Sequence, residues 1–327
     1  MVQLGYARAM PVRWGVLSTA RINELVLAGA RKSDRVHVEA VGSRDPDRAR
    51  AYAADHGIER AHGSYAELVN DPAVDAVYIS LPNDQHIEWS IEALRAGKHV
   101  LCEKPLTRDP AEAERAFAVA EQEGRLLMEA FMWRHHPQVV GLQELLAAGT
   151  IGPVRLIRAA HSFTADPVAD RRLLDGPDGG SLMDVGCYCV HAIRQLAGEP
   201  TAVVGQAVRN DAGMDVRFSG SMLFADGIVT QFWSGLDVPE IHELEVVGET
   251  GSLFLPDLWH GWTAPRIEIR REFRVEGEVT FEPVDSYQLE LENLTDAIEG
   301  RAEPLLGRED AVNQARALHE LLVAAVA

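Results

Sequence analysis

The chain reads as α/β: a doubly wound parallel sheet in its first 130 residues, then a half built on a mostly antiparallel sheet. Two observations predict this. From Val12 to Ala130, short apolar runs alternate with capped helical segments, the grammar of parallel strands joined by right-handed crossovers. From Val154 onward, longer stretches alternate apolar and polar residues between turn signals, as antiparallel strands do. The length, 327 residues, also exceeds one ordinary core and suits two domains. We expect residues 1–11 to be a disordered extension, with Met10 as an alternative start, 12–130 a first domain and 131–327 a second.

Composition narrows the function. Apolar residues make up 46% and charged residues 25%, the mix of a soluble globular protein. A net charge of −19 would repel nucleic acid and anionic membranes, so neither is an expected partner. No apolar run reaches the roughly 18 residues of a membrane-spanning helix. Three cysteines, an odd number, fit a reducing compartment, and no signal pattern opens the chain, so a cytoplasmic location is expected.

The first strand is Val12–Leu17 and the second Val36–Gly42. Asp45 before Pro46 places an N-cap ahead of a first-turn proline, a device repeated at Asp109 and Pro110. Ser64 and Glu67 have the spacing of a capping box. Val74–Leu81 is nearly all apolar, as expected of a strand buried on both faces. Ile87, Ile91 and Leu94 mark one helix face, closed by Gly97. His99–Cys102 and Leu126–Ala130 complete the sheet. The second half holds expected strands at Val154–Phe163, Ala202–Arg209, Met214–Phe224, Ile228–Leu236, Ile241–Val247 and Arg266–Val275. Helices are expected at Ser181–Ala197, Ser286–Glu299 and Arg308–Ala324.

Four clusters carry chemistry. Ser18, Thr19, Ala20, Arg21 and Ile22 form the turn from the first strand into a helix, where small residues let the backbone approach a pyrophosphate at the helix amino end. The usual glycine fingerprint would fall on Ser18, Ala20 and Asn23, and none is glycine. After the second strand, Ser43, Arg44 and Arg48 suit a ribose 2′-phosphate, which favours NADP(H) over NAD(H). Leu81, Pro82, Asn83 and His86 make a rigid turn after one buried strand, and Glu103 and Lys104 follow the next; both lie at the edge where such sheets bind ligands. A lysine there can hydrogen-bond a substrate hydroxyl. Last, Asp184, Tyr188 and His191 share one helix face behind Gly179 and Gly180. A nearby ammonium such as Lys104 would lower the tyrosine pKa from about 10, whereas a plain core helix with a buried tyrosine is the alternative. Cys187, Cys189 and His191 spread around a helix, so no metal is expected.

Taken in order, the first turn, Ser43-Arg44, Leu81-Pro82-Asn83 with His86, Glu103-Lys104-Pro105 and Asp184-x-Gly186-x-Tyr188 resemble the glucose–fructose oxidoreductase/inositol dehydrogenase (Gfo/Idh/MocA) family across residues 12–325. Met128–Arg134 resembles it too. Within the family the chain looks similar to dimeric dihydrodiol dehydrogenases, NADP-dependent D-xylose dehydrogenases and nucleotide-sugar 3-ketoreductases. The resemblance implies a Rossmann domain, an open-faced α+β domain whose sheet makes a homodimer, NADP(H), and Lys104 with Tyr188 as the catalytic pair, with Asp184 supporting the substrate. The chain departs from the family at the glycine fingerprint, and Tyr188 replaces the commoner histidine. The function so implied is hydride transfer between nicotinamide and an aldose, polyol or diol carbon; the alternatives are a nucleotide-sugar 3-ketoreductase and a non-catalytic NADP sensor. Trp133, Arg134, His135, Phe163, His191 and Trp233 are candidates for the substrate pocket.

Overall fold

A computed structural model describes residues 11–166, 170–173, 179–262 and 264–325. Residues 1–10 of the expected extension lie outside this range. The first sheet has six parallel strands in the order β3-β2-β1-β4-β5-β6: β1 Val12–Leu17, β2 Val36–Gly42, β3 Arg60–His62, β4 Ala76–Ile79, β5 His99–Glu103 and β6 Leu127–Ala130. Helices α1 Asn23–Ala30, α2 Pro46–His56, α3 Tyr65–Val69, α4 His86–Arg95 and α5 Pro110–Glu123 make the crossovers. The order reverses between β1 and β4, the switch point at which doubly wound sheets bind ligands beyond the strands' carboxyl ends.

The expected caps form. Asp45 accepts from the amides of Asp47 and Arg48, and Asp109 from that of Ala111. Ser64 accepts from Glu67 N, while the Glu67 carboxylate reaches Gly63 N. Gly97 takes the left-handed φ of 81° that ends α4. The strand expected over Val74–Leu81 is shorter, because Val74 closes a turn onto Asp71 and the Asp75 carboxylate binds Arg13.

After α6 Pro137–Ala147, the second sheet has eight strands in the order β14-β13-β12-β11-β7-β10-β9-β8. These are β7 Val154–Thr164, β8 Pro200–Arg209, β9 Asp215–Phe224, β10 Val229–Gly235, β11 Asp237–Gly248, β12 Ser252–Leu255, β13 Arg266–Arg271 and β14 Arg274–Thr280. Among the described strands of this second sheet, only the β7–β10 pairing is parallel. Helix α7 Cys187–Ala197 packs on one face of this sheet. Helices α8 Ser286–Ile298 and α9 Arg308–Ala324 return to the first half, α8 against α1 and α9 against α5. Ion pairs from Lys32 to Asp285, Arg35 to Glu292 and Arg308 to Glu114 reinforce that return.

Two expectations need correction. Arg266–Val275 is not one strand: Glu272 and Phe273, at φ of 47° and 68°, reverse the chain into the β13–β14 hairpin. Ser181–Ala197 is not one regular helix either. Leu182–Gly186 is a π-helical turn leading into α7. Its start is capped by Asp215 of β9, which accepts from Ser181 Oγ (2.9 Å) and Leu182 N (2.8 Å). Gly180 allows that approach: its φ is 94°, and a Cβ there would stand 2.0 Å from Asp215 Oδ1. Among the described residues no helix is long and apolar enough to cross a membrane.

Candidate active site

The turn after β1 is tight without the glycine fingerprint. Ser18 itself adopts a φ of 131°, in the region that favours glycine. Its hydroxyl holds it there, meeting Ser80 Oγ (2.8 Å) and Ser80 O (3.1 Å) and accepting from Ala20 N (3.1 Å). Buried Asn23 donates from Nδ2 to Ser18 O at 2.9 Å. Side-chain hydrogen bonds thus replace glycine freedom, and Thr19, Ala20, Arg21 and Ile22 remain accessible at the amino end of α1. Arg44 and Arg48 are exposed beyond β2, while Ser43 is buried and accepts from Asp45 N.

The loops after β4 and β5 are stapled together. His86, fully buried, places Nε2 2.8 Å from Leu81 O and Nδ1 2.9 Å from Pro105 O. It lies beneath the turn that Pro82 and Asn83 present, so it positions that turn from behind. Glu103 likewise points inward, accepting from the Tyr78 hydroxyl, and burial raises its pKa.

Lys104 joins this edge to the second half. Its Nζ donates to Asp184 O (2.7 Å), lies 3.5 Å from Asp184 Oδ1 and sits 4.7 Å from the Tyr188 ring centroid. The other Asp184 oxygen receives Arg172 Nη1 at 2.7 Å, and Arg172 lies over the Phe163 ring. Burial opposes the charge on Lys104, yet the Asp184 carboxylate outweighs it and the ammonium pKa rises. Tyr188 differs from the sequence expectation. Lys104 stands over its ring face, its hydroxyl meets Met132 Sδ at 3.7 Å, and burial pushes its pKa well above the ordinary value. The pair at neutral pH is therefore an ammonium and a phenol, both carrying their protons.

The candidate pocket residues divide three ways. Phe163 shares the Tyr188 side of the sheet, beneath Arg172. Trp133 and His191 are buried in an aromatic support behind Tyr188: Phe131 stacks on His191 at 4.0 Å and meets Tyr188 edge-on at 5.6 Å. His191 follows Tyr188 one helical turn on, and its Nε2 is 2.8 Å from Asp310 Oδ2 in α9, which occupies it structurally. Arg134 lies over Trp133, with buried Nε and Nη1 that find no hydrogen-bond partner among the described residues; burial takes the His135 pKa down to about 3. Trp233 falls on the opposite face of the sheet, because Phe232 beside it on β10 faces the core. Cys187, Cys189 and His191 point to three different partners: Asp184 O, Trp233 O and Asp310.

Sequence reasoning missed two residues here. Arg172 lies in an irregular segment with no periodic signal. His161 meets the Tyr188 ring edge-on at 4.9 Å, but it sits in a strand whose alternation alone does not distinguish it.

The doubly wound sheet, its compact turn at a helix amino end and the exposed arginine after β2 place the chain among dinucleotide-dependent oxidoreductases. The family model described as "Oxidoreductase family, NAD-binding Rossmann fold" matches residues 12–131, and the "GFO/IDH/MocA C-terminal domain" model matches residues 139–254. The chain belongs to the Gfo/Idh/MocA family. It is 37% identical to D-xylose 1-dehydrogenase (NADP(+)) 2 of Haloferax volcanii, over 93% of this chain and 94% of the relative. It is 32% identical to trans-1,2-dihydrobenzene-1,2-diol dehydrogenase of Bos taurus, over 81% and 79%. The crystal structure of a 3-ketoreductase from Actinomadura kijaniata with NADP and TDP-benzene matches with a TM-score of 0.89 and 32% identity, covering 96% of this chain and 98% of that one.

Proposed function

We propose that the protein is an NADP(H)-dependent oxidoreductase transferring hydride between nicotinamide and a carbohydrate or diol carbon bearing a hydroxyl or carbonyl. The observation that carries this reading is the placement of Lys104 against Asp184 and the Tyr188 ring at the sheet's ligand-binding edge. Residues 18–22 hold the pyrophosphate at the amino end of α1, and Ser43, Arg44 and Arg48 the 2′-phosphate. The tight Ser18 turn and the exposed Arg44 fit such a group. Leu81, Pro82 and Asn83 shape the nicotinamide pocket, with His86 and Glu103 fixing the loops around it. Bound cofactor supplies or accepts the hydride. Lys104 holds the reacting oxygen, Asp184 and Arg172 orient Lys104, and Tyr188 exchanges a proton with that oxygen. The xylose and dihydrodiol dehydrogenase relatives support an aldose or diol substrate. A protonated Tyr188 is ready to donate, which favours, as a second reading, reduction of a keto-sugar like that of the 3-ketoreductase relatives.

The test is titration with NADPH and NADH, followed by nicotinamide fluorescence, then turnover on a panel of aldoses, diols and keto-sugars. Tight NADPH binding with no turnover on any of them would instead favour a cofactor-sensing regulator. Arg44→Ala is expected to weaken NADPH binding by about 10–100-fold, the worth of a charged hydrogen bond, and to leave NADH binding unchanged. Equal loss for both cofactors would remove Arg44 from the 2′-phosphate site.

We further assign residues 12–130 to cofactor binding and 131–327 to substrate binding and homodimerisation through the open face of the second sheet. Exposed Val204 and half-buried Trp233 and Phe254 on that face, among Arg158, Glu243 and Glu245, support a self-complementary interface. Trp233→Glu together with Val204→Glu is expected to convert a dimer to a monomer in sedimentation equilibrium. The three free, buried cysteines support a cytoplasmic location, and the charge of −19 supports the absence of nucleic-acid or membrane partners.

A further inference from the structure

Three side chains from two separate segments converge where β11 meets the chain leaving β12. His242 lies on β11, and Asp257 and His260 on the segment after β12. His242 Nδ1 is 3.3 Å from His260 Nδ1 and 3.6 Å from Asp257 Oδ1, and one donor atom from each residue lies within 4.8 Å of the others. A tetrahedral ion with ligand bonds of about 2.0–2.2 Å spaces its donors about 3.3–3.6 Å apart. Two of the three separations already have that length.

The surroundings fit a ligand set. The Glu240 carboxylate lies 3.4 Å from His242 Nε2, the outer carboxylate that turns a ligating imidazole's other nitrogen toward a metal. The backbone is held in place from several sides. His242 and Asp257 form a β-bridge, Leu258 N donates to His242 O (3.1 Å), and Gln138 Nε2 donates to Asp257 O (3.1 Å) and Leu258 O (2.9 Å). Trp259 Nε1 donates to Ala160 O at 2.9 Å. The cluster opens on a cavity of about 450 Å³ walled by Trp262 and Pro256, which leaves room for a further oxygen ligand. On its inner side, the His161 ring stands 4.9 Å from the rings of both His242 and Tyr188.

We propose that His242, Asp257 and His260 bind a divalent transition-metal ion, with Zn²⁺ matching the two-imidazole, one-carboxylate donor set and its spacing, and with a further coordination position open to the cavity. The site stands independently of the oxidoreductase reading. Full-length protein stripped with chelator is titrated with Co²⁺, followed by visible absorption, and then with Zn²⁺ in competition. One equivalent of Co²⁺ is expected, displaced by Zn²⁺. His242→Ala and His260→Ala should each weaken binding by more than about 100-fold, with metal-free thermal midpoints monitoring their folding. Glu240→Gln, at an exposed position, should weaken it by about 10–100-fold without touching the ion. Absence of stoichiometric Co²⁺ binding would overturn the proposal, as would binding that survives both histidine substitutions.

Discussion

Lys104→Ala is expected to lower kcat/KM by about 10³-fold or more while NADPH affinity stays within a few-fold of wild type. The substitution removes the cation placed at the cofactor edge and against the Tyr188 ring, so the reacting oxygen loses its donor as charge develops. The cofactor contacts proposed for residues 18–22 and Arg44 belong to other loops and remain. The local fold should survive as well, because Asp184 keeps its bond to Arg172 and Asp215 still caps the π-helical turn. Steady-state kinetics beside a fluorescence titration separates the two effects. Full activity in the variant would end the proposed role of Lys104, whereas a matching loss of NADPH binding would make it a cofactor anchor instead.

The first half of the chain was legible because its signals are local. Asp45, Ser64, Asp109 and Gly97 each act on backbone within a few residues, and each does what its position predicts. Legibility failed where a conformation is imposed from afar. The β13–β14 turn uses Glu272 and Phe273 at positive φ, with none of the Gly or Asn that announces such a turn, so strand pairing overrides local preference there. The three-residue β3 is too short to carry a period. The π-helical turn at Leu182–Gly186 is capped by Asp215, some thirty positions on, a partner no local pattern identifies.

The site shows the same division. Lys104 and Tyr188 sit in recognisable motifs, and the structure brings them together. Arg172, His161 and the His242–Asp257–His260 cluster meet only after the second sheet forms, because spacing along one strand or helix says nothing about neighbours across a sheet. Trp233 shows the converse. Its aromatic ring suits a sugar, but the period-2 alternation of β10 sends it to the opposite face from Tyr188.

Tyr188→Phe tests the proton step and its direction. The ring keeps its packing against Phe131, His161 and Trp259, so the variant should fold and bind cofactor normally while kcat falls by about 10²–10⁴-fold. The pH profile is the sharper readout. Burial holds the Tyr188 pKa well above the ordinary value, so the phenol is protonated throughout the neutral range. Carbonyl reduction needs that proton and should be level through neutrality, declining only at strongly alkaline pH. Alcohol oxidation needs the phenolate and should rise with pH across the alkaline range. In the Phe variant both dependences should vanish along with most of the rate. An alkaline rise that persists without the hydroxyl would transfer the proton-exchanging role to another group, leaving Tyr188 as packing beside Lys104.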